Sequence, residues 1–353
     1  MKKVLMTGNE TIGEAAIQAG CDFYAGYPIT PQNELTAYMA KRMPEENRPF
    51  VQAESELAAI SMVMGASAGG SRAMTSSSSP GISLKQEGIS YLAGARLPCL
   101  IVNIMRGGPG LGNIAPAQSD YSQATKGGGH GDYRCIVLAP CLVQEAYNLV
   151  FLGFSLADKY RTPAIILGDG MLGQMMEPVI VHSGQLRVHR KKLKTKPWAL
   201  TGCKARQPNV VKSFFMQEEG LEEHNKLLQK NYEQIRQSEQ RFEGVYLDDS
   251  EIILVAYGSM ARIARSAVER LRKKGKRAGL LRPISLWPFP VDIFKELLNG
   301  KRKALRFFVT EMSYGQMLED VRLAVNGRAP VDFYGRAGGG IPTEEEIIKK
   351  ILQ

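Results

Sequence analysis

The chain has 353 residues, a formal net charge of +10, and 44% apolar against 23% charged side chains. That length allows two or three domains at roughly 100–200 residues each, and the composition excludes a disordered chain. No apolar run approaches the ~20 residues of a membrane helix, and the opening MKKVLMTGNE lacks the apolar centre of a signal peptide. Cysteines at 21, 99, 135, 141 and 203 form no C-x-x-C pair, which argues against a disulfide framework and gives no support for a zinc or iron–sulfur site. A reducing cytoplasm fits that pattern. The positive charge is concentrated in 187–206, where Arg187, Arg190, Lys191, Lys192, Lys194, Lys196, Lys204 and Arg206 have no acid among them. A nucleic-acid reader interleaves aromatics with its cations, and only Trp198 is present. The segment reads as a solvated linker or a contact for an acidic partner subunit.

Taken in chain order, the first 180 residues alternate strand-type and helix-type runs. A strand ends at Phe23-Tyr24-Ala25-Gly26, and Thr30 is placed to cap a helix with Pro31 at its first position. A strand at Phe50–Gln52 leads to a helix from about Glu54. Residues 99–104 (CLIVNI) form an apolar strand ending at Arg106-Gly107-Gly108-Pro109-Gly110. Strands at 136–139 and 164–167 flank a helix over 143–158. Residues 181–249 break the alternation with the basic segment and a polar helix over 221–242, read as an interdomain connection. Alternation resumes with a strand at 252–256, a helix over 262–274, a strand at 278–281, and Trp287-Pro288-Phe289-Pro290. A strand at 306–310, a helix over 317–325, and a final strand and helix follow. This predicts an α/β protein with a doubly wound parallel sheet over 1–180, a linker over 181–249 and a second α/β domain over 250–353.

Ligands of such sheets bind outside the carboxyl ends of the strands. Three segments fall there: Gly26-Tyr27-Pro28-Ile29-Thr30-Pro31, Glu54-Ser55-Glu56 and Arg106-Gly107-Gly108-Pro109. A hydroxyl near a helix N-terminus together with an arginine suits a carboxylate, which the guanidinium can bind with two parallel N–H bonds. The same residues also fit a plain cap and a surface ion pair. Glu56 precedes the apolar run Leu57-Ala58-Ala59-Ile60. An acid entering a core there would be desolvated and could share a proton with a bound heterocycle. An exposed first-turn glutamate is the bland alternative, and Glu54 competes for the role. Residues 75–81 (TSSSSPG) could cradle an anion, but they lack the G-x-S-x-G elbow of a serine hydrolase. Gly127-Gly128-Gly129-His130-Gly131-Asp132 is a loop with a lone histidine. Gly168-Asp169-Gly170 opens like a magnesium–diphosphate motif whose later asparagines are missing, so it reads as a decoy. Neither a P-loop nor a G-x-G-x-x-G helix start is present.

Together these segments resemble the alpha subunits of 2-oxoacid:ferredoxin oxidoreductases, closest to the 3-methyl-2-oxobutanoate (2-oxoisovalerate) type. The likeness rests on Tyr27-Pro28-Ile29-Thr30-Pro31, Gln52-Ala53-Glu54-Ser55-Glu56, residues 75–81, Arg106-Gly107-Gly108-Pro109-Gly110, residues 127–132 and Leu167-Gly168-Asp169-Gly170. Trp287-Pro288-Phe289-Pro290 and Glu311-Met312-Ser313-Tyr314-Gly315-Gln316 extend it to the second domain. It implies a pyrimidine-type thiamine diphosphate domain followed by a transketolase C-terminal-like domain. The pyrophosphate domain and its Mg2+ would be carried by a beta subunit. Iron–sulfur clusters would sit on that subunit or on a small ferredoxin-like one. Glu56 would hydrogen-bond N1′ of the aminopyrimidine and relay its proton, chosen over Glu54 because Gly65 follows it by nine residues. Tyr27 and Pro28 would flank the cofactor, and Thr30 and Arg106 would bind the substrate carboxylate. The implied reaction is CoA-dependent oxidative decarboxylation of a branched-chain 2-oxo acid, with electrons passing to ferredoxin. Two alternatives stand beside it: a pyruvate- or 2-oxoglutarate-specific member of the family, and a non-catalytic scaffold.

Overall fold

The computed structural model describes residues 2–181, 196–299 and 305–353. Residues 187–195 of the basic segment therefore lie outside the described residues. The first part runs β1 (Lys2–Thr7), α1 (Gly8–Gln18), β2 (Phe23–Gly26), α2 (Asn33–Glu45), β3 (Phe50–Gln52), α3 (Glu56–Ala68), β4 (Ala73–Ser77) and α4 (Ser79–Gly94). It continues through β5 (Cys99–Met105), α5 (Tyr121–Lys126), β6 (Ile136–Leu138), α6 (Val143–Tyr160), β7 (Ala164–Asp169), α7 (Gly170–Gln174) and β8 (Met176–Val181). Then come α8 (Glu218–Ser238), β9 (Phe242–Val245), β10 (Ile252–Val255), α9 (Gly258–Lys273), β11 (Ala278–Pro283) and β12 (Ser285–Trp287). The chain closes with α10 (Val291–Asn299), β13 (Arg306–Glu311), α11 (Gln316–Val325), β14 (Val331–Gly335) and α12 (Glu344–Leu352).

The first sheet has the order β12-β6-β7-β5-β4-β2-β3, and its neighbours are parallel except β12 against β6. Every residue of β4, β5 and β7 is buried, as a parallel sheet covered by helices requires. Helices α1, α2 and α6 pack as one group and α3 with α4 as another. The second sheet has the order β14-β13-β10-β11-β9, parallel but for β9. A separate ribbon pairs β1 with β8, which the sequence reading had not drawn.

Among the boundaries that differ from expectation, three bear on the site and the domain junction. Thr30 does not cap α2; Gln32 occupies that position and the helix begins at Asn33. The reason is a turn in which Gln32 N–H bonds the Ile29 carbonyl while its side chain enters a buried polar network. The helix expected over 221–242 stops at Ser238, and Phe242 starts β9, an edge strand of the second sheet. The connection is thus partly built into the second domain. Trp287 belongs to β12, which leaves the second domain to pair with β6 of the first. Gln118 fastens the two domains as well. It donates from its main chain to the Met312 carbonyl and from Nε2 to the Tyr257 carbonyl, each at 2.9 Å.

Candidate active site

Because β2, β3, β4 and β5 are parallel neighbours in one sheet, their carboxyl ends share an edge. That edge carries residues 26–31, 52–56, 77–81 and Arg106. Ser55 caps α3 by accepting from Ala58 N–H at 3.1 Å, so Glu56 is the first helical residue. Glu56 is 6% exposed, whereas Glu54 faces solvent. The burial rules out the bland reading of Glu56 as an exposed first-turn acid. Its carboxylate receives no hydrogen bond from the described residues. A Cβ at Gly81 would lie 2.5 Å from Glu56 Oε1 and 2.1 Å from Ser77 Oγ, so the missing side chain at 81 is what lets α4 close on the acid. The hydroxyls of Thr75, Ser77 and Ser78 are buried with no protein partner, as are Asn103 Oδ1 and Arg106 Nε. Buried polar groups are normally satisfied, and such a group of orphans marks a place shaped for a polar ligand.

The carboxylate-binding candidates are joined to this edge by hydrogen bonds. Arg106 Nη1 donates to the Thr30 carbonyl and Nη2 to the Leu111 carbonyl, each at 3.0 Å. The guanidinium is thus not a free fork, since both terminal nitrogens already hold the backbone of flanking loops. Nε and the remaining N–H groups are what it can offer a ligand. Arg106 N–H donates to Ser79 Oγ at 3.0 Å, tying the arginine to the first turn of α4. Thr30 is half-buried, and its Oγ1 accepts from Asn33 Nδ2 at 3.0 Å. Tyr27 and Pro28 are exposed at the rim of the edge. Beneath them, Tyr24 Oη bonds Ser76 Oγ at 2.6 Å, and Ser76 donates to Gln32 Oε1 at 2.7 Å, fixing the loop from below.

Other expected features have structural roles. Asp169 caps α7 through the N–H groups of Met171 and Leu172, each at 3.0 Å, and accepts from Ser259 Oγ of the second domain at 2.9 Å. Its motif serves the domain junction. His130 is exposed and packs edge-on against Tyr91. Of the basic segment, Lys196 pairs with Asp158 at 2.8 Å and Arg206 turns back on local carbonyls. Sequence reasoning missed Lys85 and Asp120, and it named Ser79 only as one of the hydroxyls of 75–81. Lys85 is wholly buried beside Glu56, and Asp120 accepts from Ser79 Oγ and Asn103 Nδ2 with its carboxyl pushed up by burial. No sequence signal set Lys85 apart from other lysines in helices.

Residues 14–243 match the family described as pyruvate flavodoxin/ferredoxin oxidoreductase, thiamine diphosphate-binding. Residues 250–347 match pyruvate:ferredoxin oxidoreductase core domain II. The chain belongs to the 2-oxoacid:ferredoxin oxidoreductases. Among its relatives, ketoisovalerate oxidoreductase subunit VorB of Methanothermobacter thermautotrophicus is 49% identical, over 100% of this chain and 98% of that one. 2-Oxoglutarate synthase subunit KorA of Methanocaldococcus jannaschii is 36% identical over the full length of both. The solved 2-oxoglutarate:ferredoxin oxidoreductase of Magnetococcus marinus, bound to 2-oxoglutarate, coenzyme A and succinyl-CoA, superposes with a TM-score of 0.84 at 26% identity. That match covers 99% of this chain, which spans 65% of the length of that one. As an oxidoreductase subunit of this family, the chain carries a thiamine diphosphate-binding domain over residues 14–243. The unpartnered acid and the three free hydroxyls fit a polar heterocycle. No helix among the described residues is long and apolar enough to cross a membrane.

Proposed function

We propose that this chain forms the pyrimidine half of a thiamine diphosphate site in a ketoisovalerate-type oxidoreductase, with Glu56 as the acid that exchanges a proton with ring nitrogen N1′. The observation that carries this is a buried carboxylate with no protein hydrogen bond, beside Gly81 and the free hydroxyls of Ser77 and Ser78. An acid that built only structure would use its oxygens on the fold. Thiamine diphosphate, when bound, supplies the carbon nucleophile needed to break the bond beside a 2-oxo acid carboxylate. This chain's residues orient and neutralise. Glu56 holds or yields the proton. Tyr27 and Pro28 border the ring. Arg106 Nε, with Thr30 beside it, receives the substrate carboxylate. Holding the carboxylate beside the acid replaces a random encounter with an aligned one.

The 49% identity to a ketoisovalerate oxidoreductase subunit supports a branched-chain 2-oxo acid, the coenzyme A bound in the Magnetococcus marinus enzyme supports coenzyme A as acyl acceptor, and the family supports ferredoxin as electron acceptor. A beta subunit would bring the pyrophosphate domain with Mg2+. It, or a small ferredoxin-like subunit, would carry the iron–sulfur clusters. A cytoplasmic setting accords with the cysteine usage. In this reading the chain divides into a pyrimidine-type domain over 1–180, a connection over 181–249 and a transketolase C-terminal-like domain over 250–353, with the strand at 242–245 paired into the second sheet.

Reconstitution with the partner subunits tests this. The chain alone is expected to turn over no 2-oxo acid. In the complex, Glu56→Gln should lower turnover on the order of 100-fold or more, and Glu54→Gln should have little effect. Equal small losses would refute the assignment. Arg106→Ala should raise KM for the 2-oxo acid roughly tenfold or more, and an unchanged KM would remove Arg106 from the carboxylate site.

A further inference from the structure

Lys85 is a buried cation that the site as described does not use. It lies wholly out of solvent on α4, one turn beyond Gly81. Its Nζ donates to the main-chain oxygen of Glu56 at 3.2 Å, and among the described residues no carboxylate stands within ion-pair distance of it. An ammonium has three donors, and burying one with a single neutral acceptor destabilises a fold. Methionine would fill the same space without that cost. The position therefore calls for a reason beyond packing, and the neighbour it touches supplies one. Lys85 reaches the residue whose carboxylate is left free, and Gly81, one turn earlier on the same helix, is the contact that lets that carboxylate approach α4.

The charged groups around Lys85 are few. Glu56 faces it from α3. On α4 itself, Glu87 is exposed and accepts from Tyr91 Oη. Asp120, ahead of α5, is held by Ser79 and Asn103 at the N-terminus of α4. Burial pulls the Lys85 ammonium down to about 8, and the charge of Glu56 opposes that pull.

We propose that Lys85 is a positioning residue for the reaction: its ammonium anchors the first turn of α3 through Glu56 and sets the charge against which the Glu56 carboxylate exchanges its proton. The proposal rests on the reading of Glu56 given above. Two effects are separable. The hydrogen bond fixes the main chain from which the acid projects, and the charge acts on the carboxylate of the same residue. The charge has a signature of its own. With about 8 in the fold against the ordinary 10.5, the unfolded chain binds more protons between those values. Stability then rises with pH across that window, and Lys85 weakens the fold most fully below it.

The test uses the assembled complex carrying Lys85→Met, Lys85→Gln or Glu56→Gln, assayed from about pH 6 to about pH 10, with denaturant midpoints of the same chains read in parallel. Lys85→Met should raise the unfolding midpoint near neutral pH and erase the rise in stability above about pH 8. It should also lower kcat roughly tenfold or more, leave KM for the 2-oxo acid within about twofold, and remove the alkaline limb of the kcat profile. Lys85→Gln keeps a donor for the Glu56 carbonyl and loses the charge, so it should share the altered pH profile. Wild-type kcat and limb in both variants would overturn the proposal, as would activity lost only in step with lost stability. Glu56→Gln separates the two readings. If it is impaired while both Lys85 variants behave as wild type, Lys85 alone is misassigned. If Glu56→Gln itself keeps full turnover, both readings fail.

Discussion

Glu56 and Asp169 are two acids withdrawn from solvent at carboxyl ends of the same sheet, Glu56 at the start of α3 and Asp169 at the end of β7. Asp169 spends its oxygens on the fold, accepting from two N–H groups of α7 and from the N–H and hydroxyl of Ser259. Glu56 accepts nothing from the described residues and looks onto hydroxyls that are free as well. Burial alone does not mark a reactive acid. A buried acid with full hydrogen bonding is architecture, and one left open is kept for something that arrives later. Asp169 lies in a segment with the look of a diphosphate motif, and its partners show that it joins two domains.

The difference can be broken from either side. The largest expected effect is on turnover, through Glu56→Gln, with a smaller drop in the denaturant midpoint, because no protein hydrogen bond is lost but the charge that offsets the burial of Lys85 is removed. Gly81→Ala comes next. Its Cβ would strike Glu56 Oε1 and Ser77 Oγ, so turnover should fall roughly tenfold without any change of charge, through a displacement costing about 1–3 kcal/mol. Wild-type kinetics in that variant would show that the acid need not sit against α4. Asp169→Ala should invert the pattern: a loss of about 2 kcal/mol from a missing cap and missing charged hydrogen bonds, with turnover per folded complex kept. Turnover lost at full stability would move Asp169 into the site. The smallest effect is in the pH dependence. Burial pushes the Asp169 carboxyl above its ordinary 3.8. Between 3.8 and the raised value the folded chain holds a proton that the unfolded chain has lost, so this residue's contribution to stability falls as pH rises through that window. Asp169→Asn should flatten that slope when unfolding is followed in acid.

The comparison also shows what a linear reading can and cannot see. Strand-and-helix alternation is local, so β3, β5 and α6 were legible from apolar runs within a few residues of their ends. Thr30 looked like a cap because hydroxyl-before-proline is a helix start, but Gln32 accepts from Ser76 on β4, and that long-range bond moved the start. Phe242 and Trp287 were assigned by sequence neighbourhood, whereas both joined strands distant in the chain. Glu56 was legible as a candidate through its apolar neighbours. Its lack of partners was not, since that depends on α4 arriving with a glycine. Lys85 was invisible for the same reason: in sequence it is one more lysine in a helix, and only the packing of α4 on α3 buries it.

The most direct measurement is an experimental structure of the complete complex with thiamine diphosphate bound. The expected result is the Glu56 carboxylate within hydrogen-bond distance of N1′, the Ser77 and Ser78 hydroxyls facing the ring, and the phosphates held by another subunit. A ring nitrogen paired with Glu54, or phosphates seated on this chain at Asp169, would contradict it.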